Sequence, residues 1–180
     1  QLAANVLRSG GVVAYPTEAV WGLGCDPQNP AAFAELLGLK QRAVSKGVIL
    51  IAADVGQVVP YVGSLTEQQW QRLGRPSDTP TTWIVPAGPT AAPWLTGGRN
   101  TLAIRVTDHP VAAALCREFG SPIVSTSANL HGKAPAKSPL KVRCYFPVDL
   151  VHILGGPLGS AQKPSEIRDI QTGNVLRSGS

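Results

Sequence analysis

Short apolar runs recur along the chain and alternate with stretches in which apolar residues follow helical spacing. The runs are four to six residues long, and Gly, Pro, Asn or Asp stands near most of their ends. Runs of this length and setting are typical of strands, and a continuous apolar run is typical of a strand buried on both faces. The predicted strands are residues 12–15, 48–53, 82–86, 101–106, 122–125 and 150–154.

Helix signals lie between these runs. Asn29-Pro30 offers an N-cap followed by Pro at the first helical position, and the apolar spacing beyond it places Lys40 at the end of that helix. Ser64 and Glu67 have the spacing of a capping box ahead of another short helix. A further helix is predicted to begin at Asp108-His109-Pro110 and to end at Gly120.

The alternation of strands and helices predicts an α/β sandwich with a largely buried sheet. Several connections are too short for helical crossovers, so we expect a mixed sheet rather than a purely parallel one. A Gly-rich loop and a short polar tail follow the last predicted strand. The length, 180 residues, fits a single domain spanning residues 1–180.

Charge adds a preference for an anionic partner. There are 16 Lys and Arg against 11 Asp and Glu, a formal net charge of +5, which favours an anionic partner such as a nucleotide or RNA, although many ordinary proteins carry a similar charge. Two basic clusters contain no acidic residue, although a solvated basic face explains the second equally well. The first cluster is Lys40, Arg42 and Lys46, and the second is Lys133, Lys137, Lys141 and Arg143.

The cysteines and the hydropathy pattern indicate the cellular compartment and the kinds of site that the protein lacks. The three Cys are far apart and the three His do not pair with them at metal-ligand spacing, so we predict neither a disulfide framework nor a metal site. An odd, sparse set of Cys favours a reducing, cytoplasmic compartment. No apolar run approaches the roughly 20 residues needed to cross a bilayer, so we expect no membrane partner.

Four polar clusters adjoin predicted strand and helix ends, where open α/β sheets usually bind ligands. They are residues 15–18, residues 40–42 with Lys46, residues 125–129 and residues 164–169. No P-loop, Gly-x-Gly-x-x-Gly fingerprint or Gly-x-Ser-x-Gly elbow occurs in the sequence. The sequence pattern alone therefore predicts an α/β domain that binds a phosphorylated ligand.

Six ordered sequence blocks strongly resemble the YrdC/TsaC family, from near residue 3 to Gly179. The first three are AYPTEAVWGLGCD at residues 14–26, LKQR at 39–42 and KGVILI at 46–51. The others are LAIRVTDHP at 102–110, STSAN at 125–129 and KPSEIRD at 163–169. The chain looks like the short form of the family, without the C-terminal domain of longer relatives.

The resemblance implies a three-layer α/β fold with a twisted mixed sheet flanked by helices and a basic concave cavity. It implies that the chain is a nucleotidyltransferase, a threonylcarbamoyl-AMP synthase. Such enzymes convert L-threonine, bicarbonate (or CO2) and ATP to threonylcarbamoyl-adenylate and pyrophosphate. The product serves tRNA threonylcarbamoyladenosine modification, so a downstream transfer machinery and possible contact with tRNA or other structured RNA are implied. ATP would be a substrate, with Mg2+ carried on its phosphates.

The family's Lys-x-Arg and Ser-x-Asn signature corresponds to Lys40, Arg42, Ser127 and Asn129, which the resemblance makes the catalytic set. The remaining implied roles divide between the two substrates. ATP would be held by Arg42, Lys46, Thr101, Ser127, Asn129 and Arg177, and threonine by Thr17, Arg105, Ser125 and Ser165. Lys40 and Arg42 are both expected to be solvent-reachable in the empty cavity.

Alternatives remain open for several of these residues. Thr17 is equally explained as a turn cap, Glu18 as the partner of a cation, and Asp169 as a residue that fixes a strand end. Arg105 lies in a strand-like run and could form a salt bridge instead of binding the carboxylate of threonine.

Two departures from the family and one competing function complete the sequence-based expectations. Longer relatives have a His where this chain has Ile51, so that contact does not transfer. Residues 75–82 lack the Trp-Pro-Gly-Pro run that relatives carry there. The competing function is a non-catalytic maturation factor that binds double-stranded RNA or rRNA, which the net charge also supports.

Overall fold

The computed structural model describes residues 1–75, 79–161 and 163–179. The strands in these ranges are β1 (Val12–Pro16), β2 (Trp21–Gly24), β3 (Ile49–Ala52), β4 (Thr81–Pro86), β5 (Thr101–Val106), β6 (Ile123–Ser127), β7 (Val151–Ile153), β8 (Glu166–Asp169) and β9 (Val175–Arg177). They form one sheet in the order β7-β1-β2-β6-β3-β5-β4-β8-β9. The pairs β1/β7, β3/β5 and β4/β8 are parallel, and the other described pairs are antiparallel. The predicted mixed sheet is confirmed.

The helices are α1 (Leu2–Arg8), α2 (Pro30–Lys40), α3 (Glu67–Gly74), α4 (Pro93–Thr96), α5 (Pro110–Phe119) and α6 (Pro139–Tyr145), with 3-10 turns at Val44–Lys46 and Gly56–Tyr61. The Asn29 side chain caps α2 by accepting hydrogen bonds from the backbone N–H groups of Ala31 and Ala32, and α2 ends at Lys40 as predicted. Gly120 ends α5 in the left-handed conformation, which glycine adopts without a steric penalty.

The capping box of α3 lies two residues beyond its predicted position. Thr66, not Ser64, is the N-cap, and its hydroxyl accepts a hydrogen bond from the backbone N–H of Gln69. The Gln69 side chain in turn accepts one from the Thr66 backbone N–H. A Gln at the third helical position completes a capping box as a Glu does, so the box is formed by Thr66 and Gln69. The predicted box of Ser64 and Glu67 was wrong.

Several elements were missed from the sequence. The segment expected to be a short polar tail contains two strands that were not among the predicted ones, β8 and β9, and Asp169 stands at the end of β8. Both strands are half-buried or exposed, and therefore lack the apolar run that identified the buried strands. β2 has the sequence Trp-Gly-Leu-Gly and is fully buried, but two glycines in four residues hide a strand from propensity arguments.

Alternate residues of the central strands belong to two apolar clusters. In β1, Val12 and Ala14 belong to the larger cluster, whereas Val13 and Tyr15 belong to the smaller one. Because successive side chains of a strand point to opposite faces, the clusters lie on opposite sides of the sheet. Helices α2, α3, α4 and α6 contribute to the larger cluster, and α1 and α5 contribute to the smaller. This is an α/β fold with a mixed sheet flanked by helices.

The face that carries the smaller cluster also carries the polar residues of the candidate site. Ser125 and Ser127 follow Ile123 at every second position of β6, and Ile123 belongs to the smaller cluster. In β5, Arg105 alternates with Leu102 and Ile104 of the larger cluster, and so points to the same face as these serines. Helices α1 and α5 leave this part of the face open. No helix within the described residues is both long and apolar enough to span a bilayer.

Candidate functional site

A cavity of about 610 Å3 lies over the open part of this sheet face. Its volume is in the range of small-molecule sites. Among the described lining residues, six are basic and one is acidic: Arg42, Lys46, Arg99, Arg105, Lys163 and Arg177, with Glu18 as the acid. This excess of positive charge suits an anionic ligand.

A left-handed turn separates Lys40 from Arg42 and sends their side chains to different places. Gln41 ends α2 with φ 51, the one non-glycine positive φ among the described residues. Arg42 lines the cavity, and its Nη2 donates a hydrogen bond to the backbone oxygen of Gly47 at 2.9 Å. Burial and the nearby Arg177 both lower the pKa of Arg42. Two guanidinium groups that repel each other are suited to share an anion.

Lys40 does not line the cavity, and the expectation that it is solvent-reachable was wrong. The residue is 4% exposed. Its Nζ donates hydrogen bonds to the backbone oxygen of Ser127, and to the backbone oxygen and Oδ1 of Asn129, the last two at 3.0 Å. Burial and the charge of Arg42 lower the pKa of Lys40 to about 8.

The Ser127–Asn129 turn is therefore fixed by Lys40, which does not itself line the cavity. Ser127 lines the cavity, and its hydroxyl donates a hydrogen bond to Asn129 Oδ1 at 2.7 Å. The amide nitrogen of Asn129 donates to the backbone oxygen of Lys133 at 2.7 Å. Asn129, like Lys40, is not among the lining residues, so the described structure brings only Arg42 and Ser127 of the four signature residues to the cavity wall.

Arg105 reaches the cavity and also has the acidic partner that the alternative interpretation required. Its Nη2 lies 3.4 Å from Glu18 Oε2. Glu18 Oε1 accepts a hydrogen bond from the Thr107 hydroxyl. Burial alone would raise the pKa of Glu18, but Arg105 and the Thr107 hydrogen bond outweigh burial and hold that pKa below its ordinary value. The salt bridge and the cavity position thus coexist.

The remaining predicted residues also lie at the cavity: Thr17, Lys46, Thr101, Ser125, Ser165 and Arg177. The Tyr15 hydroxyl donates to Ser125 Oγ at 2.8 Å, and burial raises the pKa of Tyr15. Ser165 Oγ lies 2.9 Å from the Thr82 hydroxyl. Thr17 also caps a turn, because its hydroxyl donates to the backbone oxygen of Val20 at 2.7 Å.

Asp169 has the structural role that the sequence left open. Its Oδ1 accepts hydrogen bonds from the backbone N–H groups of Gln171 and Thr172, and so fixes the turn between β8 and β9. This carboxylate is therefore used by the fold. The cluster at residues 164–169 contributes Pro164, Ser165 and Ile167 to the cavity, but not Asp169.

Two lining cations were missed from the sequence, Arg99 and Lys163. Both are exposed and stand in Gly- or Pro-containing loops. Nothing in the sequence distinguishes Arg99 from a solvated surface residue, whereas Lys163 begins the KPSEIRD block, which could have singled it out. Residues 76–78 of the divergent 75–82 segment lie outside the described residues. Ile51 is fully buried in the smaller apolar cluster, so the hydrogen bonds of a His at this position are not available here.

The described residues contain no group of three or more His, Cys, Asp and Glu that could hold a metal ion. A single carboxylate, Glu18, reaches the described part of the cavity, and it is already engaged by Arg105 and Thr107. Mg2+ prefers several oxygen ligands, of which proteins commonly supply one or two carboxylates. The described part of the cavity wall does not fit a resident Mg2+ site.

A family model with the description "Telomere recombination", which covers the Sua5, YciO and YrdC proteins, matches residues 5–179. A Cellvibrio japonicus protein named threonylcarbamoyl-AMP synthase is 54% identical over 97% of this chain and 93% of its own length. A Pseudomonas aeruginosa protein of the same name is 48% identical over 98% of this chain and 95% of its own length.

Solved structures of Sua5 and YciO have the same fold as this chain. The structure of P. abyssi Sua5 complexed with L-threonine is 28% identical to this chain, with a TM-score of 0.91 over 99% of it. The chain spans about half, 53%, of that protein. E. coli YciO is 28% identical, with a TM-score of 0.81 over 99% of this chain and 87% of YciO. From the match across nearly its whole length and the shared fold, the chain belongs to the Sua5/YciO/YrdC family.

Proposed function

We propose that this chain is a threonylcarbamoyl-AMP synthase, which joins L-threonine, bicarbonate (or CO2) and ATP to give threonylcarbamoyl-adenylate and pyrophosphate. The observation that carries the proposal is a cavity whose described wall has six cations and a single acid, in a chain about half identical to synthases over nearly its full length. The relatives favour this enzyme over an RNA-binding factor without catalytic activity.

The two substrates would occupy different levels of the sheet. Ile49 of β3 lies level with Ala103 of the parallel β5 and with Ser125 of the antiparallel β6. Thr101, two residues before Ala103, and Ser127, two residues after Ser125, therefore lie toward the same edge of the sheet. Arg105 lies four residues beyond Thr101 on β5, which corresponds to about 13 Å along a strand. We assign ATP to the end with Ser127, Thr101, Arg42 and Lys46, and threonine to the end with Arg105.

The main obstacle to this reaction is the electrostatic repulsion between its anionic reactants. The unprotonated amine of threonine bonds to CO2 and releases a proton to solvent as the carbamate forms, and a carbamate oxygen then bonds to the α-phosphorus of ATP while the bond from that phosphorus to pyrophosphate breaks. The carbamate, the threonine carboxylate and the triphosphate are all negative. Cations such as Arg42, Lys46 and Arg177 would lower the repulsion and stabilise charge in the transition state, and fixed positions for both substrates would supply the rest.

Mg2+ is assigned to the substrate rather than to the protein. The ion would enter bound to the ATP phosphates, where it neutralises part of their charge, because the described cavity wall has no carboxylate set to hold it. No step of the proposal depends on a protein ligand to the metal.

The proposal extends to the setting of the reaction. We propose that residues 1–180 act as one domain, since lining residues run from Thr17 to Arg177. The free cysteines Cys25, Cys116 and Cys144 are consistent with a cytoplasmic location. The product would pass to a machinery that transfers the threonylcarbamoyl group to tRNA.

The test is to incubate the protein with ATP, Mg2+, threonine and bicarbonate, and to measure pyrophosphate release together with the mass of the adenylate. We expect both products, and we expect neither when threonine is omitted. Folded protein that releases no threonine-dependent pyrophosphate would contradict the proposal.

A further inference from the structure

Arg99 is a cation of the cavity wall to which the proposed function gives no role. It stands in the loop between α4 and β5, and it is exposed. Its Nη1 donates one long hydrogen bond, to the Thr96 backbone oxygen at 3.5 Å, and no ion pair of Arg99 is found among the described residues. A guanidinium group has five N–H donors. Most of the donors of Arg99 are therefore available to a ligand in the cavity.

The loop that carries Arg99 packs backbone to backbone against the loop before β3. A Cβ atom on Gly97 would lie 2.7 Å from the backbone nitrogen of Gly47 and from the backbone oxygen of Ser45, so only glycine allows this approach. Gly97 also has φ 65, in the left-handed region that glycine adopts without a steric penalty. The position of Arg99 relative to the loop before β3 is therefore fixed by the fold.

Arg99 and Arg42 contact the same glycine from two directions. The Arg42 Nη2 donates a hydrogen bond to the Gly47 backbone oxygen at 2.9 Å. A Cβ atom on Gly47 would lie 3.3 Å from Arg99 Nη1, so the second guanidinium group lies beside the α-carbon of this glycine. Arg177 lines the same cavity and is close enough to Arg42 to lower its pKa. These three arginines form one corner of the cavity, which we call the Gly47 corner.

The Gly47 corner lies at the opposite end of β5 from Arg105. Ile49 of β3 is level with Ala103 of the parallel β5, so Gly47, two residues earlier, is level with Thr101. Arg105 stands four residues beyond Thr101, which corresponds to about 13 Å along a strand. The arginines that contact Gly47 are therefore far from the end of the cavity to which threonine is assigned.

The geometry of the reaction decides which part of ATP must face this corner. The attacking and leaving oxygens of a phosphorus centre lie roughly in line. The carbamate oxygen approaches the α-phosphorus from the end with Arg105, so the bond that breaks, to the oxygen between the α- and β-phosphates, lies on the far side. That oxygen keeps the electron pair, and the pyrophosphate gains one negative charge as it leaves. The leaving group therefore moves toward the Gly47 corner, where cations stabilise its charge.

We propose that Arg99 is a further catalytic residue, which binds the β- and γ-phosphates of ATP together with Arg42 and stabilises the pyrophosphate as it leaves. The inference rests on the proposed function and assigns a residue to its leaving group. Each guanidinium group can bind two phosphate oxygens, so two of them beside one glycine can hold two linked phosphates. AMP lacks both of these phosphates and gains nothing from Arg99.

The test compares inorganic pyrophosphate and ATP with AMP, each titrated by calorimetry in the presence of Mg2+. The proteins are the wild type, Arg99→Gln and two controls. Lys163→Gln removes the same charge from the wall at another place, two residues before Ser165, whose Oγ lies 2.9 Å from the Thr82 hydroxyl. Arg117→Gln removes an exposed cation of α5 that does not line the cavity.

We expect Arg99→Gln to weaken the binding of pyrophosphate and of ATP more than tenfold, about 1.4 kcal/mol, and that of AMP less than twofold. Lys163→Gln should weaken pyrophosphate less than threefold, because it acts only through its distant charge. Arg117→Gln should bind all three ligands normally. Turnover of Arg99→Gln at saturating ATP should fall more than tenfold, since the leaving oxygen gains its charge in the transition state.

Equal weakening of AMP and ATP in Arg99→Gln would mean that Arg99 does not contact the terminal phosphates, and it would overturn the inference. So would unchanged pyrophosphate affinity, normal turnover, or an equal loss of pyrophosphate affinity in Lys163→Gln. A wild type that binds ATP and pyrophosphate but releases no threonine-dependent pyrophosphate would instead contradict the proposed function itself.

Discussion

Lys40 and Arg42 have different surroundings although they are two residues apart. The left-handed conformation of Gln41 ends the helix between them. Lys40 therefore continues along the helix into the protein and ties down the Ser127–Asn129 turn. Arg42 leaves the helix and reaches the cavity. We infer that Lys40 is a positioning residue and that Arg42 contacts the phosphates.

Substitution of these two residues should separate stability from catalysis. Lys40→Met removes three hydrogen bonds to Ser127 and Asn129, including the one that the Asn129 backbone oxygen accepts among the described residues, which should lower the free energy of unfolding by about 2 kcal/mol or more. Arg42→Ala should change it by less than about 1 kcal/mol, yet lower turnover about a hundredfold, because one contact to developing negative charge is worth about 3 kcal/mol. Urea unfolding and pyrophosphate release provide the two measurements. Normal stability in Lys40→Met would contradict the buried role of this amine.

Arg105→Lys should affect one substrate and spare the other. A lysine keeps the charge but lacks the planar fork that grips a carboxylate with two hydrogen bonds. We expect the Kd for threonine to rise more than tenfold, while the Kd for ATP stays nearly unchanged. Titration calorimetry with each ligand measures both effects. A fall in ATP affinity with normal threonine affinity would instead assign Arg105 to the nucleotide.

At the scale of elements, the sequence predicts the strands that are apolar runs and misses those that are not, including the buried but glycine-rich β2. The cores of β1, β3, β5 and β6 are apolar runs, and the ends of α2 and α5 carry clear capping residues. The strands β8 and β9 have no such run, because β9 is the edge strand, β8 lies next to it, and both pack little apolar surface.

The same limit applies to the site. Arg42, Ser127, Arg105 and Ser125 stand in blocks that resemble a known family, and all reach the cavity. Whether Arg42 reaches the cavity depends on the positive φ of Gln41, which the sequence does not reveal, whereas Lys40 faces the protein because the end of α2 lies against the turn after β6. Long-range contacts between α2 and the β6 turn decided this point.

The N-cap of α2 is predicted to matter because this helix carries Lys40 at its last position. Asn29→Ala removes the acceptor for the backbone N–H groups of Ala31 and Ala32, and should cost about 1 kcal/mol of stability. Asn29→Asp keeps the acceptor and is the matched control, which should unfold at nearly the wild-type urea concentration. Equal stability of all three proteins would mean that the cap contributes nothing.

At the scale of the whole molecule, the cavity joins distant parts of the chain. Its wall includes Thr17 after β1, Arg105 on β5 and Arg177 on β9. The second basic cluster of the sequence lies elsewhere, around α6, and its members differ. Lys133, Lys137 and Lys141 do not line the cavity, whereas Arg143 donates a hydrogen bond to the Val151 backbone oxygen at 2.8 Å and so serves the fold.

Any RNA binding should be tolerant of sequence and steeply dependent on salt, because it would rest on cations that neutralise phosphates. Replacing Lys133, Lys137 and Lys141 together by Gln should reduce the log–log salt slope by about 0.7 to 0.9 for each phosphate that is no longer neutralised. Arg117→Gln, an exposed cation on α5, is the control. Fluorescence anisotropy between low and high salt measures the slope. Affinity that does not vary with salt would contradict this expectation.

The participation of β9 in the cavity wall has a consequence for biosynthesis. Of the lining residues described, Thr17 is made first and Arg177 last. Ribosomes add about 5 to 20 residues per second, so between about 8 and 32 s separate the synthesis of these two residues. Through most of this interval the nascent chain contains Arg42 and Lys46 but lacks the final cation of the wall. Translation therefore completes the cavity only with the last strand, and an unfinished chain cannot present the whole site to its substrates.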